Sequence, residues 1–242
     1  KRALSSIFSQ TYQNFEIIIV DNSSTDNTKK IIEEFNQDKI RFFEVKNEGV
    51  IGYSRNKGIN HSNADWIAFL DSDDTWEPNK LDIVKQTIEK NSNIILTCHN
   101  EWHILNDTKK KLRHGPLEGD MYKKLVFDGN CLSTSAVTLR RDIALKVKGF
   151  SERKDFITTE DYEFWIRLSK EGNFFFIDEI LGSWYTYKGS ESSKINIHAN
   201  ALLSVMEYHL NLWQQIHKND DKIVKIRKSK VYLSIALMYL KD

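Results

Sequence analysis

The chain has 242 residues, 40% of them hydrophobic and 29% charged, enough to bury a sizeable core and too apolar for wholesale disorder. Lys and Arg number 35 against 34 Asp and Glu, and the formal net charge of +1 excludes a general attraction to nucleic acid or an acidic surface. No apolar run approaches a membrane span, no signal peptide is visible, and Cys98 and Cys131 lack metal-site spacing, so a reducing compartment is the default.

In chain order, Ala3, Leu4, Ile7 and Phe8 give a helical stripe that starts at once, so the sequence is expected to enter mid-fold, without its true N-terminus. Phe15 to Val20 is a strand dense in isoleucine, ending at Asp21. The polar turn Asp21-Asn-Ser-Ser-Thr-Asp-Asn-Thr holds several helix-capping residues, and Ile31, Ile32 and Phe35 follow as a helix face. Ile40 to Val45 predicts a strand, and a glycine-bearing loop from Asn47 leads into a short helix from Tyr53 to Asn60. Trp66 to Leu70 is an apolar run that predicts a strand buried on both faces, and a helix with proline in its first turn follows from Pro78 to Asn91. Strand and helix alternating at this spacing predict a parallel sheet with crossover helices. The pattern then changes. Ile94 to His99, Glu101 to Leu105, Ser135 to Leu139, Phe174 to Ile177 and Leu181 to Tyr187 predict short strands, with a charged turn at Asp107-Thr-Lys-Lys-Lys. Glu160 to Glu171 is helical, and two more helices are expected from Ile195 onward.

The stretch Asp65-Trp-Ile-Ala-Phe-Leu-Asp-Ser-Asp-Asp74 organises the rest. Its apolar run stops at three carboxylates within four residues, which places them past the C-terminal end of a strand, where open α/β sheets bind ligands. Carboxylates this close repel, and a hard divalent cation such as Mg or Mn relieves that repulsion. A solvated acidic turn before the Pro78 helix is the plainer alternative. Asp21 ends another strand and can accept a nucleobase N–H, or simply cap a helix. Arg55 can pair with a diphosphate or a site carboxylate, or sit exposed on its helix. Glu160 and Asp161 start a helix, where they either cap it or provide a general base.

Taken together, Val20-Asp-Asn-Ser-Ser-Thr-Asp-Asn-Thr28, Ser54-Arg-Asn-Lys-Gly58, Phe69-Leu-Asp-Ser-Asp-Asp-Thr-Trp76 and Glu160-Asp-Tyr-Glu-Phe-Trp-Ile-Arg-Leu168 resemble the family 2 inverting glycosyltransferases in order and spacing. The resemblance implies a GT-A fold: a Rossmann-like, mostly parallel sheet with crossover helices, a merged acceptor-side region and a C-terminal helical tail. It implies a nucleotide-sugar-binding part over 1–100 that lacks its first strand, an acceptor-side part over 101–194 and a tail over 195–242. Asp21, Asn22, Ser23, Arg55, Asp71 and Ser72 would bind the nucleotide sugar, Asp73 and Asp71 a Mn or Mg ion, and Asp161 would be the base with Glu160 beside it. Lys188 stands where many relatives carry a histidine, which leaves a metal contact from that loop open. The implied reaction moves a sugar, expected to come from a UDP donor, to a glycan or lipid-linked acceptor hydroxyl with inversion, in surface polysaccharide or glycan synthesis. The location expected is cytoplasmic, with the inner face of the membrane as an alternative and the C-terminal helices as the contact to membrane or partner; no nucleic acid is involved. A sugar-1-phosphate nucleotidyltransferase and a non-catalytic sugar-nucleotide or glycan-binding module remain the rival classes. Trp102, His103, Trp184 and Tyr187 allow a glycan-stacking surface, with core packing as the alternative for each.

Overall fold

Strand pairing separates the strands into two sheets in the computed structural model, which describes residues 1–106, 108–115, 119–187 and 195–240. The smaller sheet pairs β1 (Ile17–Asp21) with β2 (Ile40–Glu44) in parallel, from Ile17 opposite Ile40 to Asp21 opposite Glu44. The larger one follows the order β3 (Trp66–Ala68), β7 (Val137–Arg140), β5 (Ile94–Leu105), β8 (Asn173–Thr186) and β4 (Thr75–Trp76), with β6 (Thr108–Leu112) also paired to β5. Within it only β5 and β8 are parallel; the pairings β3·β7, β5·β7, β4·β8 and β5·β6 are antiparallel.

The mixed α/β architecture and the helical C-terminal region match expectation, and several elements differ in detail. The strand at Trp66 is not buried on both faces. It is a half-buried edge strand running antiparallel to β7, with Ile67 and Phe69 packed on the core. The two short strands expected on either side of Asn100 are one strand, β5. Asn100 is buried, yet its side chain donates to Asp178 Oδ1 (2.8 Å) and accepts from the His114 amide (2.9 Å), so a polar residue passes through without breaking the ladder. Its partner β8 is likewise continuous. The register steps from His99 opposite Ile177 to Asn100 opposite Ile180, which leaves Asp178 and Glu179 as a bulge. Of the charged turn expected over Asp107-Thr-Lys-Lys-Lys, Asp107 lies outside the described residues and the rest belongs to strand β6.

Helices cover these sheets. α1 (Arg2–Phe8), α2 (Thr28–Glu33), α3 (Ile51–His61), α4 (Lys80–Lys90) and α7 (Glu160–Leu168) lie where hydrophobic periodicity puts them; α5 (Met121–Phe127) and α6 (Arg141–Lys146) have no sequence counterpart above. Helix α3 packs on β1 at Gly58, where a Cβ would sit in ordinary van der Waals contact with Val20 Cγ2 (3.8 Å). One hydrophobic cluster runs from Ile59 through Leu96, Val137, Phe150, Phe164 and Trp165. It continues into α8 (Ile195–Ile216) and α9 (Asp221–Tyr239), which bury Val205, Leu210, Trp213, Val224, Val231 and Ile235. At about 1.5–3 kcal/mol for each large side chain buried, these two helices contribute to the same core as the sheet.

Candidate active site

The site is built around Arg55. This residue sits in the first half of α3, and its guanidinium joins two segments far apart in sequence. Nη2 donates to Asp71 Oδ1 (3.0 Å) and Nη1 to Glu160 Oε1 (2.7 Å), with Cζ 5.3 Å from the centre of the Phe150 ring. Burial alone would lower the arginine pKa, but Asp71, Glu160 and Asp161 outweigh it and raise it further. Arg55 is therefore the partly buried centre of an ion-pair network rather than an exposed helix arginine.

The framework holding it is made of long-range bonds. Asn56 accepts the Phe150 amide (2.7 Å) and donates to the Phe150 carbonyl (2.9 Å), clamping the turn under Arg55. Gly149 has φ +65°, and a Cβ there would collide with Asn56, so the turn requires glycine. On α7, Glu163 accepts two bonds from Arg167 (2.7 Å each), and Arg167 Nη2 donates to the Gly149 carbonyl (2.7 Å). Helix α7 is thus tied to the turn that supports Arg55.

Glu160 and Asp161 open α7 and do not serve as its side-chain cap; the N-cap is Thr159, without a side-chain bond. Glu160 is buried, and its Oε2 has no protein partner among the described residues. Asp161 accepts from the Tyr162 amide (2.6 Å) and from Thr134 Oγ1 (3.3 Å). Burial raises the pKa of both carboxyls, with Arg55 pulling each back down. A general base needs such a raised value at neutral pH.

The acidic turn after β3 is fixed from behind. Asp74 is buried, accepting from Ser135 Oγ (2.5 Å) and from the Tyr185 amide (2.9 Å), while Ser135 Oγ also accepts the Asp71 amide (3.1 Å). Burial pushes Asp74 up to about 7 against those hydrogen bonds, with the nearby charges of Asp71 and Asp73 adding to the rise. Neither Asp71 nor Asp74 caps α4, whose N-cap is Asn79. The Asp73 carbonyl accepts from Arg2 Nη2 (2.5 Å), and Arg2 lies 3.6 Å over the Tyr185 ring. Burial raises the pKa of the Asp73 carboxyl, and Asp71 raises it further. Ser72 is exposed in the same turn.

Asp21, Asn22 and Ser23 occupy a different stretch, the turn between β1 and α2. Asp21 accepts the Ser24 amide (2.8 Å) and the Ser24 hydroxyl, Ser23 adopts φ 52° and donates to the Val45 carbonyl (2.8 Å), and Asn22 accepts the Asn47 amide (2.9 Å). Asn47 in turn donates to Ser54 Oγ (2.8 Å), next to Arg55. This two-step path joins the turn to the arginine cluster; no direct bond does so among the described residues. Lys188 lies outside the described residues.

Among the described residues no three His, Cys, Asp or Glu side chains gather into a ready metal cage. The donor set still fits a hard cation, because Mg-type sites use one or two carboxylates and take their remaining oxygens from water and substrate phosphates. Asp71 and Asp73, two residues apart in the acidic turn, are the candidates for such a pair. The sequence did not single out Asp74, Ser135, Thr134 or Phe150. Asp74 was visible in the acidic stretch, whereas Ser135 and Thr134 carry no local signal.

The sequence profile of "Glycosyl transferase family 2" matches residues 1–146. The Escherichia coli "UDP-Glc:alpha-D-GlcNAc-diphosphoundecaprenol beta-1,3-glucosyltransferase WfgD" is 30% identical over 172 residues, 71% of this chain and 64% of that protein. An uncharacterised glycosyltransferase of Rickettsia conorii is 28% identical over 86% of this chain but only 34% of its own length. This chain spans less than half of that relative and of another from Rickettsia felis, at 41%. Among solved structures, S. aureus TarS 1-349 in complex with UDP-GlcNAc superposes with a TM-score of 0.66 at 17% identity, over 84% of this chain and 60% of that one. The mannosyltransferase PcManGT from Pyrobaculum calidifontis, in complex with GDP-Man and Mn2+, gives 0.65 at 12% identity, over 97% of this chain and 66% of that one.

Proposed function

Because this chain belongs to glycosyl transferase family 2 and has the GT-A fold, we propose that it transfers a sugar from a nucleotide diphosphate donor, a UDP-sugar, to an acceptor hydroxyl with inversion at the anomeric carbon. The observation that carries this reading is the Arg55 bridge, which holds the acidic turn of Asp71 against the Glu160–Asp161 pair. On this reading residues 1–100 form the donor part and residues 101–194 the acceptor side.

Asp21, Asn22 and Ser23 take the base end of the donor; Asp71 and Ser72 take the ribose and sugar. Arg55 faces the diphosphate once donor binding loosens its pair with Asp71. Asp73 and Asp71 would hold a Mn or Mg ion, which would neutralise charge on the leaving diphosphate. Asp161 accepts the proton of the acceptor hydroxyl. The freed oxygen bonds to the anomeric carbon as the bond from that carbon to the diphosphate oxygen breaks, its electron pair leaving with the nucleotide. A general base of this kind supplies about 10²–10⁴-fold of the rate. Asp161 must be ionised to act, so transfer rises as pH climbs through its raised pKa. Glu160 shares the same guanidinium, and the two carboxyls titrate as a pair.

The test is turnover of a panel of UDP-sugars and GDP-mannose, with Mn and with chelator, followed by NMR of the product linkage. Metal-dependent release of UDP with an inverted anomer is expected. A retained anomer, or nucleotide binding without any turnover, overturns the proposal. The second outcome would restore the binding-module reading.

A further inference from the structure

Beyond the acidic turn, β5, β6 and β8 continue outward as a three-stranded arm. Register and alternation sort its side chains between two faces. Tyr185, Ile104 and Lys109 stand opposite one another in one row, and Ser183, Trp102 and Lys111 in the next, so these six share a face. His103, Trp184 and Lys110 stand on the other, where His103 stacks on Trp184 at 4.7 Å and bonds Thr186. Among the aromatic positions singled out in the sequence, Trp102, His103 and Trp184 are half-buried and Tyr187 is exposed, so none belongs to the buried core.

The first face continues directly into the candidate active site. Arg2 lies 3.6 Å over Tyr185 while bonding the Asp73 carbonyl, and Lys109 Nζ lies 4.3 Å over Trp102. Two cations on aromatic rings, with Lys111 in the neighbouring row, thus line a strip that leads away from the acidic turn at Asp73. Adjacent strands are about 4.8 Å apart, so the strip is on the order of 10 Å wide, room for a diphosphate or for neighbouring phosphodiesters. Thr108 to Arg113 carries four cations and no acidic residue, in a chain with a net charge of only +1.

We propose that this face of the arm binds a phosphate-bearing acceptor, with its anionic group on Arg2, Lys109 and Lys111 and its sugar against Trp102 and Tyr185. The proposal rests on the glycosyltransferase reading and specifies its acceptor class. The phosphate has two possible sources, the diphosphate of a lipid headgroup or the phosphodiesters of a glycan polymer. Lysines on an edge strand also deter aggregation, but that role does not depend on which face they occupy.

The face is what the experiment reads. Binding of farnesyl diphosphate, of a glycerol phosphate oligomer and of a neutral malto-oligosaccharide is followed by calorimetry for wild type, Lys109→Glu, Lys110→Glu and Trp102→Ala. Each variant's thermal midpoint is checked. At least one anionic probe should bind more tightly than the neutral one and weaken with salt; the tighter of the two identifies the phosphate source. Lys109→Glu should cost about tenfold or more for the anionic probes, the loss of one charge-assisted bond, and Trp102→Ala should weaken the malto-oligosaccharide, the probe that bears sugar. Lys110→Glu changes the net charge equally on the opposite face and should cost about twofold at most. Equal losses in the two lysine variants, or tighter binding of the neutral probe than of both anions, would overturn the proposal. Release of UDP into water without acceptor, measured in parallel, reads donor chemistry alone. If UDP release is absent both without and with an acceptor while the face-dependent binding persists, the glycosyltransferase reading fails, and the face stands as an anion-binding surface but not as an acceptor site.

Discussion

The two ends of the proposed donor site are held together in different ways. Around Arg55 the bonds link residues 16 to 105 positions apart: Asp71, Glu160, Phe150 through Asn56, and Ser135 to Asp74. Around Asp21 the side chain itself is bonded locally, by Ser24 three residues on, while Ser23 to Val45 and Asn22 to Asn47 tie the turn to the end of β2 over separations of 22 and 25. The first arrangement is preorganised by the whole fold, as suits a step whose groups must be held in place before reaction. In the second, Asp21 is half-buried and its carboxylate is bonded only to Ser24 of its own turn among the described residues, so a ligand can replace that contact at small cost to the fold.

The largest expected effect is at Asp161. Asp161→Asn keeps the shape of the side chain but cannot take a proton, so transfer should fall by about 10²–10⁴-fold with UDP affinity and thermal midpoint nearly unchanged. Near-normal transfer in steady-state assays would move the base to Glu160. Arg55→Ala comes next, because it leaves Glu160 buried and unpaired. A loss of about 3 kcal/mol, or about 6–12 °C in Tm, is expected, with Arg55→Lys recovering part of it. A Tm unchanged in Arg55→Ala would mean that the network is not what holds α7 in place.

A smaller effect is expected at Asp74, whose pKa of about 7 lies above the usual carboxylate value. Below about pH 4 both folded and unfolded chains hold this proton, and above about 7 neither does. Between those limits the folded chain holds more, so its stability declines as pH rises from about 4 to about 7. Denaturant titrations at pH 5 and 8 should show that decline, and Asp74→Asn should flatten it; an unaltered slope in the variant would assign the pH dependence elsewhere. The smallest effect belongs to the local end. Asp21→Ala should weaken UDP about tenfold, the worth of one bond to the base, while diphosphate affinity and Tm hold nearly constant. Equal loss for UDP and diphosphate would remove the base contact.

This contrast also marks what the sequence made legible. The turn at Asp21 and the acidic stretch after Leu70 are local patterns, readable from spacing, and so are the helices whose apolar stripes repeat every three or four residues. The pairing of Arg55 with Glu160 joins residues 105 positions apart, and nothing in the spacing of either motif predicts it. Ser135 lies in a segment with no motif and becomes important only because β7 delivers it behind Asp74. Strand direction was misread for the same reason. An apolar run such as Trp66 to Leu70 reports burial but not its neighbour, and here the neighbour is an antiparallel strand that arrives seventy residues later. Asn100 was read as a break because its partners, Asp178 and His114, are also distant.

Buried Arg227 carries a consequence for the end of the chain. It donates from α9 to the Tyr162 hydroxyl (3.2 Å), and Tyr162 in turn donates to the Leu125 carbonyl. Tyr162 directly follows Asp161. The helix that closes the fold is therefore a strut for the residue proposed to take the proton. A load applied to α9, whether by a neighbouring surface or by loss of the helix, bears through Arg227 and Tyr162 on the first turn of α7.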